Sequence, residues 1–203
     1  MINDFDRSWY FGGSDAANVL SDKRHTKTWQ NWYLVKLGHI DSTFTGNIYT
    51  RAGTNFEHSI LRSISPDMFF DRQLIIDDLR LRINYDGDLD GTIYEVKTHK
   101  DNKEFEVTDA YYAQAQLQMY VWQEHAKRWN VPPFKSLYIV DYPLHADEYY
   151  LQPDPETVEE GLLPVELNRI HMQEIPYDKS FIKGVYLPKH KELLKAMRKG
   201  KKL

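Results

Sequence analysis

Residues 85–97 read Tyr85-Asp86-Gly87-Asp88-Leu89-Asp90-Gly91-Thr92-Ile93-Tyr94-Glu95-Val96-Lys97. Asp-Gly is a favoured central pair for a two-residue type I′ hairpin turn, because both central positions need positive φ. With Asp90-Gly91 as the turn, the flanking segments are antiparallel strands, and Asp86 stands opposite Glu95 with both side chains on one face. Lys97, two residues on, shares that face. Like charges about 5 Å apart across a ladder repel, so an opposed Asp and Glu point to a cation between them. The trio suits a hard divalent ion and a phosphate under attack: carboxylates ligate Mg²⁺, the ion polarises a phosphoryl oxygen and acidifies water, and the ammonium holds water or phosphate. The competing reading is a solvent-facing hairpin whose charges are decoration, which Glu-x-Lys taken alone favours. An EF-hand reading fails, because strand residues follow where the loop's terminal Glu and helix belong.

Outward from the hairpin, Met68 to Ile76, Leu79 to Leu89 and Thr92 to Lys100 are rich in β-branched, aromatic and alternating residues, which predicts three consecutive antiparallel strands. Before them, Tyr49, Ala52, Phe56, Ile60 and Ile64 form a helical stripe stopped by Pro66. Earlier still, Ser14 is placed to cap a short helix ending at Leu20, and Thr28 to open a second that Gly38 closes. After the hairpin, Ala115, Met119, Trp122, Ala126 and Trp129 define a long helix with Thr108 or Asp109 as its cap. Ser136 to Tyr142 and Asp147 to Leu151 complete the string as two further strands. The fold class is therefore α/β, a mixed sheet flanked by helices. One domain is expected over 1–203, its core at about 7–152, with a basic amphipathic helix or tail at about 187–203.

The chain has 203 residues, 41% hydrophobic and 28% charged, which excludes disorder and low complexity. No apolar run approaches the roughly 20 residues of a membrane span, and the start lacks the pattern of a signal peptide, so a cytoplasmic protein without membrane partners is expected. The absence of cysteine excludes thiolate metal sites and a cysteine nucleophile, leaving oxygen and imidazole as metal ligands. With a formal charge of −4, any nucleic acid must be met by a local basic cleft. The histidines show no ligand spacing and are read as surface residues or neighbours of the site. Trp29, Trp32, Trp122 and Trp129 have the spacing of buried stripes, leaving few aromatics as candidate base-stacking platforms.

In order along the chain stand Gly12-Gly13-Ser14-Asp15-Ala16-Ala17, Gly53-x-x-x-Glu57, Tyr85-Asp86-Gly87, Glu95-Val96-Lys97 and Tyr111-Tyr112-Ala113-Gln114-Ala115-Gln116. This series resembles the PD-(D/E)XK restriction-endonuclease-like core, and more closely its lambda-exonuclease or YqaJ-type branch of phage recombination exonucleases. The resemblance runs from Arg7 to about Tyr142. It implies that Asp86 and Glu95 bind metal with the Val96 carbonyl, and that Glu57 completes or water-bridges a second ion. By the same resemblance Lys97 positions the attacking water, Gln114 orients Lys97 or that water, and the cofactor is Mg²⁺, with Mn²⁺ able to substitute. The family's 5′-phosphate pocket maps onto Arg7, Ser14, Lys23 and Arg24, with Asn84 as a further DNA contact. The implied activity is 5′→3′ exonucleolytic digestion of linear double-stranded DNA in a phage or prophage setting. The implied partners are DNA ends, a single-strand annealing protein and, as a trimeric ring, further copies of the chain. Tyr85 departs from the usual Pro, and Asp88 and Asp90 are rivals to Asp86, which geometry favours. A structure-specific or single-strand endonuclease on the same core, and a non-catalytic DNA-end-binding subunit, are the alternatives.

Overall fold

The structure, a computed structural model, describes residues 8–42, 46–153 and 162–200. One mixed sheet carries β1 (Phe69–Ile76), β2 (Leu81–Leu89), β3 (Thr92–Lys100), β4 (Ser136–Leu144) and β5 (His171–Glu174), side by side in chain order. Neighbours are antiparallel except β3 and β4, which run parallel from Thr92 with Ser136 to Lys100 with Leu144. Parallel neighbours need a crossover, and the long helix predicted after the hairpin provides it. The helices are α1 (Ala16–Leu20), α2 (Lys27–Lys36), α3 (Ile48–Ile64), α4 (Asp109–Trp129), α5 (Lys179–Phe181) and α6 (Leu187–Arg198).

The hairpin turn forms as its chemistry dictates, with Asp90 and Gly91 at φ 50° and 83°. β1 to β3 are the three antiparallel strands expected, although β2 begins at Leu81 because Arg80 turns through a left-handed φ of 51°. α3 covers one face of the sheet, burying Phe56, Ile60 and Leu61 against Val96, Val140 and Tyr142. The other face lies under α4 and the terminal helices, where Phe11, Ile83, Ile93, Leu117, Ile139, Tyr186 and Leu193 form the larger core. Gly87 is demanded by this packing. A Cβ there would lie 3.0 Å from Leu61 Cδ1 and 3.2 Å from Met68 Cγ. Gly87→Val is expected to cost about 1–3 kcal/mol by overpacking, read as a lower urea midpoint at constant slope; an unchanged midpoint would refute this account.

Several local expectations are corrected. The first helix opens as a 3-10 turn, Gly13–Asp15, and is closed by Asp15, whose Oδ2 accepts the Gly12 N–H at 2.7 Å, so Ser14 is no cap. Thr26, one turn before Trp29, caps α2 in place of Thr28. Residues 147–151 make a 3-10 turn at Glu148–Tyr150, and the fifth strand is β5. All four β5 residues are exposed, so this short edge strand shows no apolar alternation to read. The core also continues beyond residue 152: Ile175, Ile182, Tyr186, Leu193 and Met197 are buried in it, and α6 is packed along its length. Within α6, His190 is 1% exposed, and its Nε2 donates to the Leu79 carbonyl at 2.7 Å, making it a core histidine. Trp129, at 66% exposure, stands clear of the core at the end of α4.

Candidate active site

The site sits where the sheet divides. β2 and β3 pair through Leu89–Thr92, Asp88–Ile93 and Gly87–Tyr94, and the ladder ends one position short of Asp86 and Glu95. Beyond it β2 stays with β1, and β3 with β4. The pleat of β2 also reverses here: Tyr85 lies on Trp122 of α4, with ring centroids 5.4 Å apart, while Gly87 faces Leu61 of α3. On β1 the matching irregularity is Asp71, at φ 51° and outside the ladder. Asp86 therefore does not pair across to Glu95. Its Oδ2 accepts the Val96 N–H at 2.7 Å, tying the two halves of the sheet together at the head of the fork.

Glu95 is 4% exposed and held from three sides. Lys97 Nζ lies 2.7 Å from Oε1, Gln114 Nε2 donates to the same oxygen, and Gln118 Nε2 donates to Oε2 at 2.7 Å. Gln118 Nε2 also reaches the Asn84 carbonyl at 3.1 Å, bridging the fork from β2 to β3. Gln114 thus grips Glu95 rather than Lys97. Sequence reasoning missed Gln118 as part of the site, although it follows Gln114 by one turn on the same face of α4. Lys97 Nζ is further confined 5.1 Å over the Tyr111 ring.

Glu57 enters from α3. Burial, the negative charge of Glu95 and then Asp71 raise its carboxyl pKa to about 7. Burial, followed by Glu95 and Glu57, pushes Asp86 well above the ordinary carboxylate range. Burial opposes the charge on Lys97, but Glu95 and Asp86 outweigh it and hold the ammonium firmly protonated. With all three carboxylates ionised, one ammonium would leave two negative charges uncancelled in a desolvated place, and that cost is what pushes Asp86 and Glu57 towards their neutral forms. A divalent cation on an all-oxygen donor set cancels that excess, and Asp86 Oδ1 accepts no hydrogen bond among the described residues, so the donor chemistry fits Mg²⁺. Glu57, His58 and Asp71 also bring ligand-capable atoms within 4.8 Å of one another. Asp88 and Asp90 stand apart: Asp88 pairs opposite Ile93, 3.9 Å from Arg72, and Asp90 is in the turn.

A cavity of about 190 Å³ opens beside the cluster, lined by Ser14, Asn84, Asp86, Glu95 and Gln114 together with Tyr10, Lys36 and Arg82. Ser14 and Asn84, two of the residues expected in a phosphate pocket, line this cavity, whereas Lys23 and Arg24 do not. Arg7 lies outside the described residues. Arg24 turns away to pair with Glu192 at 2.7 Å, and Lys23 is exposed outside the cavity. The cations that line the cavity are Lys36, which lies 2.6 Å from Asp15, and Arg82. The signal for Arg82 in the sequence was its alternation with Asn84 and Asp86 along β2.

No family model matches the sequence, and no curated protein does. Solved structures do. An alkaline exonuclease from Laribacter hongkongensis superposes with TM-score 0.62 at 16% identity, over 96% of this chain and 90% of that one. The same enzyme in complex with dAMP gives 0.62 and 16%, over 98% and 94%. A phage-related exonuclease from Haemophilus somnus 129PT gives 0.57 and 16%, over 95% and 93%. The chain shares the fold of these proteins, a mixed five-stranded sheet flanked by helices.

Proposed function

We propose that this chain is a metal-dependent exonuclease of the lambda-exonuclease or YqaJ type, digesting linear duplex DNA 5′→3′ from 5′-phosphorylated ends. The observation that carries the reading is the cluster of Asp86, Glu95, Glu57 and Lys97 at the fork, whose crowded carboxyls resist ionising together without a cation among them. The similar fold of two exonucleases supports it. Asp86, Glu95, the Val96 carbonyl and Glu57 are the groups to hold Mg²⁺, with Mn²⁺ a substitute. Such a cation supplies Lewis-acid polarisation of the phosphoryl oxygen and a more acidic water nucleophile. Lys97 orients that water in line with the bond to be broken, and its charge opposes the negative charge that builds on phosphate. Gln114 and Gln118 fix both oxygens of Glu95, so its carboxylate meets the reaction already oriented. Ser14, Asn84 and Arg82 offer a hydroxyl, an amide and a guanidinium to the terminal phosphate in the adjoining cavity. In this reading the 3′ strands left behind are passed to an annealing protein, and a trimeric ring of chains encloses the duplex.

The test compares linear duplexes carrying 5′-phosphate or 5′-hydroxyl ends with a closed circular duplex, each with Mg²⁺ and with chelator. Digestion of the phosphorylated linear DNA in Mg²⁺ alone is expected. Cutting of the closed circle would sink the exonuclease reading, and indifference to the end group would remove the phosphate cavity from it.

A further inference from the structure

The two elements that frame the active site meet again further along, at the N-terminal end of α3 and the C-terminal end of β3. There they enclose a second cavity of about 280 Å³, walled by Tyr49, Lys100, Asn102, Leu144, Tyr149 and Tyr150. Tyr49 and Tyr149 meet edge to face with centroids 5.1 Å apart, and Lys100 Nζ stands 5.1 Å over the Tyr49 ring. Tyr150 is 73% exposed and Tyr49 49%. Large aromatic faces left open to water around a concavity, with a cation beside them, suit a planar partner carrying negative charge. The carboxylate in the wall, Asp101, is engaged by His145 at 2.7 Å, and Lys100 is the cation that stands against the Tyr49 ring.

Position identifies the partner. Tyr49, Gly53 and Glu57 follow at four-residue spacing along α3, and Gly53 lets that helix close on β3: a Cβ there would lie 3.1 Å from Thr98 Oγ1. Tyr49 to Glu57 spans about 12 Å at the rise of a helix, and Lys97 to Lys100 about 10 Å along a strand. A duplex strand advances about 3.4 Å per nucleotide, so the cavity lies roughly three nucleotides from the catalytic cluster. A cavity of about 280 Å³ is at the small end for ligand sites and takes one planar heterocycle, not a base pair.

We infer that this cavity is a subsite for a single unpaired nucleobase of the DNA substrate, stacked on the Tyr49 and Tyr150 rings with Lys100 against the neighbouring phosphate. The inference rests on the nuclease reading above. Stacking is tolerant of sequence because every base has a π face, which matches an enzyme that must digest any DNA.

The experiment steps one abasic nucleotide along linear duplex substrates and measures KM for each with the wild-type protein, Tyr49→Ala, Tyr150→Ala and Tyr49→Phe. In the wild type one position, roughly three nucleotides from the cleaved bond, is expected to raise KM on the order of tenfold, the size of one lost base stack. Tyr49→Ala and Tyr150→Ala are expected to raise KM on intact DNA and lose that sensitivity, while Tyr49→Phe keeps it. Wild-type cleavage with no sensitive position, or sensitivity undiminished in both alanine variants, overturns the subsite alone. A wild-type protein that cuts no DNA overturns the nuclease reading and this inference with it.

Discussion

Lys97→Met is expected to lower DNA cleavage by about 100- to 1000-fold while leaving the fold intact, and Glu95→Gln to do at least as much. The magnitude is that of removing one charge-stabilising group from a desolvated site. Lys97 Nζ is 2.7 Å from Glu95 Oε1, and its charge opposes the upward pressure on both Asp86 and Glu57. Methionine keeps the aliphatic stem and loses the cation, so the loss reads on chemistry more than on packing. The two variants differ in one further respect: Glu95→Gln should raise the Mg²⁺ concentration needed for any residual activity, because a ligand has gone, and Lys97→Met should not. Single-turnover cleavage across a Mg²⁺ titration measures both, with thermal melting as the control for folding. Activity within tenfold of wild type for Lys97→Met would mean that the assigned site is wrong.

Removing divalent cations is expected to make the protein less stable as pH rises from about 5 to 8. The native carboxyl of Glu57 titrates near 7 against an ordinary 4.5, and Asp86 is displaced the same way. Below their ordinary values both groups are protonated in folded and unfolded chains alike, and nothing is lost. Above them the unfolded chain releases its protons first, the folded chain retains them, and the folded state loses stability, for Glu57 until the native carboxyl also ionises near pH 7. For Glu57 alone that is about 3 kcal/mol at about 1.4 kcal/mol per pH unit. Acids held below their ordinary values by partners, such as Asp178 and Glu148, make their contribution at lower pH and do not mask the trend. Millimolar Mg²⁺ binds the deprotonated cluster and should recover the loss at pH 8. Glu57→Gln should flatten the slope. Urea midpoints of chelated protein that stay level from pH 5 to 8, with no response to Mg²⁺, would exclude a metal centre here.

What could be read from the sequence follows the range of the interactions involved. The Asp90-Gly91 turn, the strand pair around it and the partnership of Glu95 with Lys97 rest on turn chemistry and period-two alternation, which neighbours in sequence determine. The fork does not. It depends on Asp71 adopting a left-handed backbone and on the pleat of β2 reversing at Asp86, both set by how two helices close on opposite faces. Gln114 was legible as a residue facing the hairpin, but its true partner, and the bridge made by Gln118, appear only when Asn84 and Glu95 are seen on either side of a gap. Arg24 escaped for a similar reason: it has the right spacing from Ser14, yet Glu192, far along the chain, claims it. β5 carried no pattern because none of its residues is buried.

The bond from Asp86 to the Val96 amide has a practical corollary for anyone wishing to switch this protein off without disturbing it. In the proposed reaction a single carboxylate here is both a reagent and a rivet, closing a seam that ordinary backbone pairing leaves open. Mutating it removes chemistry and loosens the seam together, and the two effects would arrive tangled in any assay. A silent yet well-formed version for trapping complexes is better made at Lys97, whose loss leaves the seam riveted and the cavity walls in place.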